Sequence, residues 1–194
     1  MVASRPKLAT FADLAALPGD VRAEVIHGAV VEKAATSFEH GNSQARFVSM
    51  LDRRFQRKPG GRWPGGWWIS TEAEVEYETH EIFAQDLAGW RRDRLPERPA
   101  GRPMTIRPDW VCELISPSNE KRDRVDKLQV LQRHAVPHYW IADPIEHVLT
   151  VHRWTDSGYL VVLAAKAGDT VRAEPFDAVE LRVSTLFGIE DDDE

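Results

Sequence analysis

The run Trp110-Val111-Cys112-Glu113-Leu114-Ile115 alternates as a strand that is apolar on both faces apart from one carboxylate. Trp110, Cys112 and Leu114 fall on one side, and Val111, Glu113 and Ile115 on the other. That pattern predicts a central strand covered on both faces. It places Glu113 out of water, where an unpaired charge costs several kcal/mol. Ser116-Pro117-Ser118 ends the strand, because Pro117 cannot donate to a sheet ladder. A charged helix is predicted next, from about residue 118 to 134. Its apolar stripe is Leu128, Leu131 and Ala135.

Upstream, residues 11–17 predict a short helix closed by Pro18-Gly19. The apolar runs on either side of His27-Gly28 predict a hairpin. After Ser37 the spacing of His40, Gln44, Phe47, Val48, Leu51 and Phe55 predicts a helix to about Gln56. Ala73, Val75 and Tyr77 alternate with Glu72, Glu74 and Glu76 as a half-exposed strand. Residues 82–90 predict another strand, which carries Asp86. Downstream, residues 138–142 predict a strand, and residues 148–154, 159–164 and 179–183 an antiparallel meander. The order is mixed: an α/β or α+β chain with a central sheet flanked by helices and a C-terminal antiparallel meander. One domain is expected over residues 1–189, with an acidic tail at 190–194.

Composition narrows the chemistry. At 194 residues the chain can bury a full core. Nothing in it approaches the roughly 20 apolar residues of a membrane helix, and no signal peptide is read at the start. The single cysteine, Cys112, excludes an internal disulfide and a thiolate zinc site within one chain, and fits the reducing cytoplasm. The net charge of −6 provides no global attraction for nucleic acid. Basic charge concentrates in residues 91–107, which hold six arginines against Asp93 and Glu97. That segment is either a solubilising insertion or a phosphate contact.

If the Asp86 and Glu113 strands are neighbours joined by that segment, their carboxylates lie side by side. They then share a proton or a cation. Oxygen-only ligands suit Mg²⁺ or Mn²⁺, which can polarise a phosphate and acidify a bound water. A lysine nearby would position that water or stabilise developing charge. Lys127, which borders the apolar stripe with Asp123 one turn earlier, suits this better than Lys121. His40 shares its stripe with Phe47 and Leu51, as a hydrogen-bonded core residue or a functional one. Asp109 is no partner for Glu113: four residues apart on one strand is about 13 Å.

In this order and spacing the residues resemble the Uma-two family of restriction-endonuclease-like proteins, within the PD-(D/E)XK nuclease superfamily. The likeness rests on Glu24-Val25-Ile26-His27-Gly28, His40-Gly41 and Asp86-Leu87. It continues through residues 108–118, Asp123 with Lys127, and residues 135–144. It implies a nuclease-type metal site in which Asp86 is the motif aspartate, Glu113 its glutamate, and Glu24 an acidic residue from the N-terminal part. Gln85 stands where the motif has proline, and Ile115 where it has lysine. Lys127 matches a lysine supplied from the next helix. The expected function is hydrolysis of phosphodiesters, in particular in DNA, with Mg²⁺ or Mn²⁺. The expected partner is nucleic acid, no membrane is involved, and a homodimer is a candidate assembly. The alternative is a catalytically silent nuclease fold that binds nucleic acid or a protein.

Overall fold

The computed structural model describes residues 7–116 and 119–189. The expected acidic tail, and part of the turn after Ser116, lie outside them. A short helix α1 (Phe11–Ala15) leads into the hairpin β1 (Ala23–Ile26) and β2 (Ala29–Glu32). Its two turn residues, His27 and Gly28, have φ of 51° and 72°, the left-handed pair that a two-residue hairpin turn requires. Helix α2 (Phe38–Phe55) follows, started by the Ser37 hydroxyl, which accepts from the His40 N–H at 3.3 Å. Then come β3 (Trp67–Glu78), β4 (Glu81–Arg91) and β5 (Trp110–Leu114).

After β5 the chain enters a π-helical stretch, Arg122–Lys127, continued by α3 (Leu128–Arg133). It returns as β6 (His138–Asp143), β7 (Val148–Thr155) and β8 (Gly158–Lys166). The main sheet runs β2-β1-β4-β5-β6-β7-β8, with β3 also pairing β4. Only β5 and β6 pair in parallel; the other pairs of this sheet are antiparallel. A parallel pair needs a crossover, and this one carries Lys127 over the sheet. No helix among the described residues is long and apolar enough to cross a membrane.

Both faces of β5 are covered, as its alternation predicts. Trp110, Cys112 and Leu114 pack with Phe47, Leu51 and Phe55 of α2. Val111 and Ile115 pack with Leu131, Val136 and Tyr139. Glu113 therefore points to the α3 side. Strand β4 is less regular. Phe83 packs with Ile26 and Val130, whereas Leu87 packs with the α2 cluster. Residues four apart share a face in an unbroken strand, so the alternation breaks between them. The break falls at Asp86, across from Glu72, whose φ is 50°.

The C-terminal meander is only partly as expected. β7 and β8 extend the main sheet, but the third segment, β10 (Leu181–Arg182), pairs with β9 (Thr170–Val171) in a separate two-stranded sheet. The intervening chain is drawn across the α2 side by Phe176, whose ring centre lies 4.7 Å from that of Phe55 and 4.9 Å from that of Trp110. Helix α4 (Val183–Phe187) closes the described chain.

Five of the six arginines of residues 91–107 are held by partners, Arg91 by Asp93 at 2.9 Å. Arg94 Nε donates to Asp109 Oδ1 at 2.9 Å, and Arg102 Nη2 to Glu74 Oε1 at 2.8 Å. Arg92 lies 3.5 Å from the Trp68 ring centre and donates to the Trp67 carbonyl. Arg107 donates to the carbonyls of His134 and Ala135. The segment is a clasp tying β3, β4 and the end of α3 together. Asp109 is buried, so Arg94→Ala is expected to cost about 1–3 kcal/mol, the desolvation of a group left short of partners. The denaturant midpoint measures it; an unchanged midpoint would mean that Asp109 is hydrated instead.

Candidate active site

Four carboxyls and two ammoniums meet where β1, β4 and β5 face the π-helical stretch. Glu24, Asp86, Glu113 and Asp123 are each at most 1% exposed. Glu24 escapes the solvated fate of most hairpin residues because β1 lies between β2 and β4 rather than at the sheet edge. Its Oε1 accepts the Ala84 N–H at 2.9 Å.

Lys127 is the hub. Its Nζ lies 2.8 Å from Glu24 Oε1, 3.1 Å from Glu113 Oε1 and 3.3 Å from Asp123 Oδ1, with the side chain 1% exposed. The helical spacing puts Lys127 at the border of an apolar stripe; the structure buries it. The crossover seats the π-helical stretch on the sheet, and a local widening of this kind recurs at functional sites.

Asp86 has a different set of partners. Lys33 Nζ sits 3.0 Å from its Oδ1 and also donates to the Ala84 carbonyl at 2.7 Å. The Leu114 N–H donates to Oδ2 at 2.9 Å. His40 Nε2 is 3.6 Å from Oδ1, and Gln44 Nε2 donates to the Asp86 carbonyl at 2.9 Å. The structure therefore gathers Glu24, Glu113 and Asp123 around the Lys127 ammonium, with Asp86 and His40 adjoining through Lys33 and β5. Asp86 and Glu113 stand on neighbouring antiparallel strands, as the connection between them implies. Lys33 and Arg122 have no signal in the sequence that sets them apart; Gln44 stands out only as a polar residue on the stripe of α2. Arg122 Nη1 lies 3.7 Å from Glu24 Oε2.

Electrostatics split the acids. Burial works to raise the Asp86 pKa, but His40, Lys33 and Lys127 outweigh it and hold Asp86 well below the usual carboxylate range. Burial pushes Glu113 well up, against Lys127, and the charges of Asp86 and Asp123 add to the rise. Asp123 is also raised, by burial first. Burial works to lower Lys127, yet Glu113, Glu24, Asp123 and Asp86 keep it charged well above its ordinary range.

The Asp86 shift has a pH signature. A carboxyl lowered in the folded state adds stability above its unfolded pKa of about 3.9, and that stability is lost as pH falls through the folded value. Asp86→Asn is therefore expected to be less stable than the wild type above about pH 4, with the gap narrowing below it. Denaturant midpoints across that window measure the effect; a pH-independent gap would remove Asp86's charge from the account.

Among the described residues, no group of three or more His, Cys, Asp or Glu side chains is arranged to hold a metal ion. The donor chemistry nevertheless suits a hard cation. The ligand atoms are all oxygens, and the acids outnumber the ammoniums. Glu24 Oε2 and both Asp123 oxygens are buried without a hydrogen bond.

Comparison with known proteins adds the family. The model of the Uma2 family, described as "Putative restriction endonuclease", matches residues 8–184. Among solved structures, a crystal structure of "a putative nuclease belonging to DUF820 from Anabaena variabilis ATCC 29413" superposes with a TM-score of 0.71 at 19% identity. The match covers 92% of this chain and 97% of that one. At that identity the likeness speaks for the fold. No curated protein matches.

Proposed function

Because the chain belongs to the Uma2 family, we propose that it is a metal-dependent nuclease hydrolysing phosphodiester bonds in DNA. The observation that carries the reading is the convergence of Glu24 and Glu113 on buried Lys127, with Asp86 on the strand beside Glu113. Asp86 and Glu113, assisted by Glu24, would hold Mg²⁺ or Mn²⁺. Such an ion, when bound, polarises a phosphate and acidifies a water.

The chain's own residues divide the remaining work. His40, Lys33 and Lys127 keep Asp86 ionised, and Lys33 with the Leu114 N–H fixes its carboxylate plane. His40 and Gln44 position Asp86 from the α2 side, so they act through it. Lys127 stays charged and donates toward the reacting centre, where it orients water and stabilises negative charge developing on phosphate. Fold likeness by itself carries no activity, so the test is direct. The wild type is expected to nick supercoiled plasmid with Mg²⁺ or Mn²⁺, and Asp86→Asn to lose that activity. A wild type inert on DNA with both ions would overturn the proposal.

One observation favours a second reading, a silent nuclease fold that binds nucleic acid or a protein. Lys127 already pairs with Glu24 and Glu113 together, so both acids have a cation partner without a metal ion. Calorimetric titration with Mn²⁺ separates the two. Stoichiometric binding that Glu113→Gln removes supports the nuclease; an absence of binding supports the silent fold. The reading also places the protein in the cytoplasm, where its one cysteine, buried Cys112, stays reduced.

A further inference from the structure

A second basic run of this chain lies away from the arginine clasp. Residues 46–62 carry Arg46, Arg53, Arg54, Arg57, Lys58 and Arg62, with Asp52 as the single acid. Arg53, Arg57, Lys58 and Arg62 are exposed, and no carboxylate among the described residues pairs with them. Arg53 and Arg54 sit in the last turn of α2, where cations favour the helix dipole. That local role does not reach Arg57, Lys58 or Arg62, which lie beyond the helix.

These residues stand on a fixed platform. The Gly65 N–H donates to the Arg54 carbonyl at 3.0 Å and the Gly66 N–H to the Arg57 carbonyl at 2.7 Å, folding the loop onto the helix end. Gly65 has φ of 65°, and a Cβ there would fall 2.5 Å from the Lys58 carbonyl oxygen. Glycine is what allows the closure. Trp63 is half-buried beside Arg54 and Arg62, whose guanidiniums lie 5.5 and 5.3 Å from its ring centre.

Helix α2 links this platform to the acid cluster. Its first turn holds His40, beside Asp86, and it ends at Phe55, about 22 Å further on at roughly 1.5 Å per residue. A groove of about 210 Å³, lined by Val48, Asp52, Gln56, Ile69, Ser70 and Thr71, follows the seam between α2 and β3. Phosphates of one strand advance ~3.4 Å per step along the duplex axis, so for a duplex lying along α2 the span corresponds to about six phosphates. We propose that Arg53, Arg57, Lys58 and Arg62 hold the backbone of duplex DNA about six phosphates from the bond offered to the Glu113 site. The choice of occupant rests on the nuclease reading. Duplex is favoured over single strand because single-strand binders offer free aromatic faces for bases, whereas Trp63 is half-buried with two guanidiniums within 5.5 Å of its ring centre.

Binding of a duplex of about 20 base pairs, followed in EDTA from about 50 to 200 mM salt, tests this without cleavage. The triple variant Arg53→Ala, Arg57→Ala, Arg62→Ala is compared with Arg153→Ala, Lys166→Ala, Arg172→Ala, which removes the same charge elsewhere. The first is expected to flatten the log–log salt slope by about 2–3, near 0.9 per lost phosphate contact, and to weaken affinity at least ~10-fold. The second should leave the slope unchanged. Arg57→Gln with Arg62→Gln, both outside the helix, repeats the test with the helix end untouched. No duplex binding by the wild type, equal slopes in both triple variants, or tighter binding of a single strand would each overturn the proposal. Plasmid cleavage is scored separately. Patch-dependent binding without cleavage removes the nuclease reading and keeps the surface; cleavage with patch-independent binding does the reverse.

Discussion

Lys127→Met is expected to lower metal-dependent cleavage by about 10²–10³-fold, the scale of losing one positioned donor. It should also cost about 3–5 kcal/mol of stability at neutral pH, because breaking a buried ion pair from one side leaves uncompensated charge. Three buried carboxyls lie within 3.3 Å of this ammonium. Without it, Glu24, Glu113 and Asp123 face one another in a dry site, and methionine supplies no donor. The carboxyls can escape by taking up protons, which Glu113 and Asp123 already favour. The cost should therefore shrink as pH falls toward 5 and grow as it rises toward 8. Urea midpoints at the two pH values measure it, with cleavage assayed under conditions where circular dichroism shows the variant folded. Lys121→Met is the comparison: Lys121 is exposed, and its midpoint should move by less than about 0.5 kcal/mol. A Lys127→Met protein as stable as the wild type at pH 8 would mean that the carboxyls are held by something else.

What the sequence made legible follows from which interactions are local. The two-sided burial of β5 shows in its alternation, because a strand exposes each face at every second residue. The His27-Gly28 turn shows because so few residue pairs tolerate positive φ in succession. The neighbourhood of Asp86 and Glu113 is open in the sequence, as one possibility for two strands joined by a single connection, and the antiparallel pairing of β4 with β5 supplies it. The burial of Lys127 does not: helical periodicity places it beside an apolar stripe, but its depth depends on how the parallel crossover seats the π-helical stretch on β5. Lys33 is harder still. It follows a strand that is mostly exposed and reaches Asp86 only because β1 bridges β2 and β4 in the sheet. The arginines of residues 91–107 mislead for a related reason. Counting charges shows six cations but not their partners, and Asp109, too distant from Glu113 to share an ion with it, is the residue that Arg94 holds. Each of these misses involves a partner brought in by tertiary packing from far along the chain.

Glu113→Gln is expected to abolish cleavage while making the fold more resistant to alkaline conditions, the opposite stability effect to Lys127→Met. Glutamine keeps the shape of the protonated acid but cannot ionise, so the site loses a metal-ligand charge and activity should fall by at least about 10²-fold. The stability argument turns on sign. Burial, the largest influence on Glu113, raises its pKa well above the ordinary value. A carboxyl raised in the folded state favours folding fully below its unfolded pKa of about 4.3, and that contribution is lost as pH rises through the folded value. Glutamine carries no such loss. The variant's midpoint should therefore gain on the wild type's as pH rises, and the difference should be smallest near pH 4. Lys127 opposes the trend, since it loses one of its three carboxylate partners and is left with Glu24 and Asp123. Two partners still satisfy a single ammonium, so relief of the crowded acids should prevail. A Glu113→Gln midpoint that drops relative to the wild type toward pH 8 would show the reverse: that the ionised Glu113–Lys127 pair stabilises the fold, and that the site is built for ion pairing rather than for yielding its carboxylate to a metal.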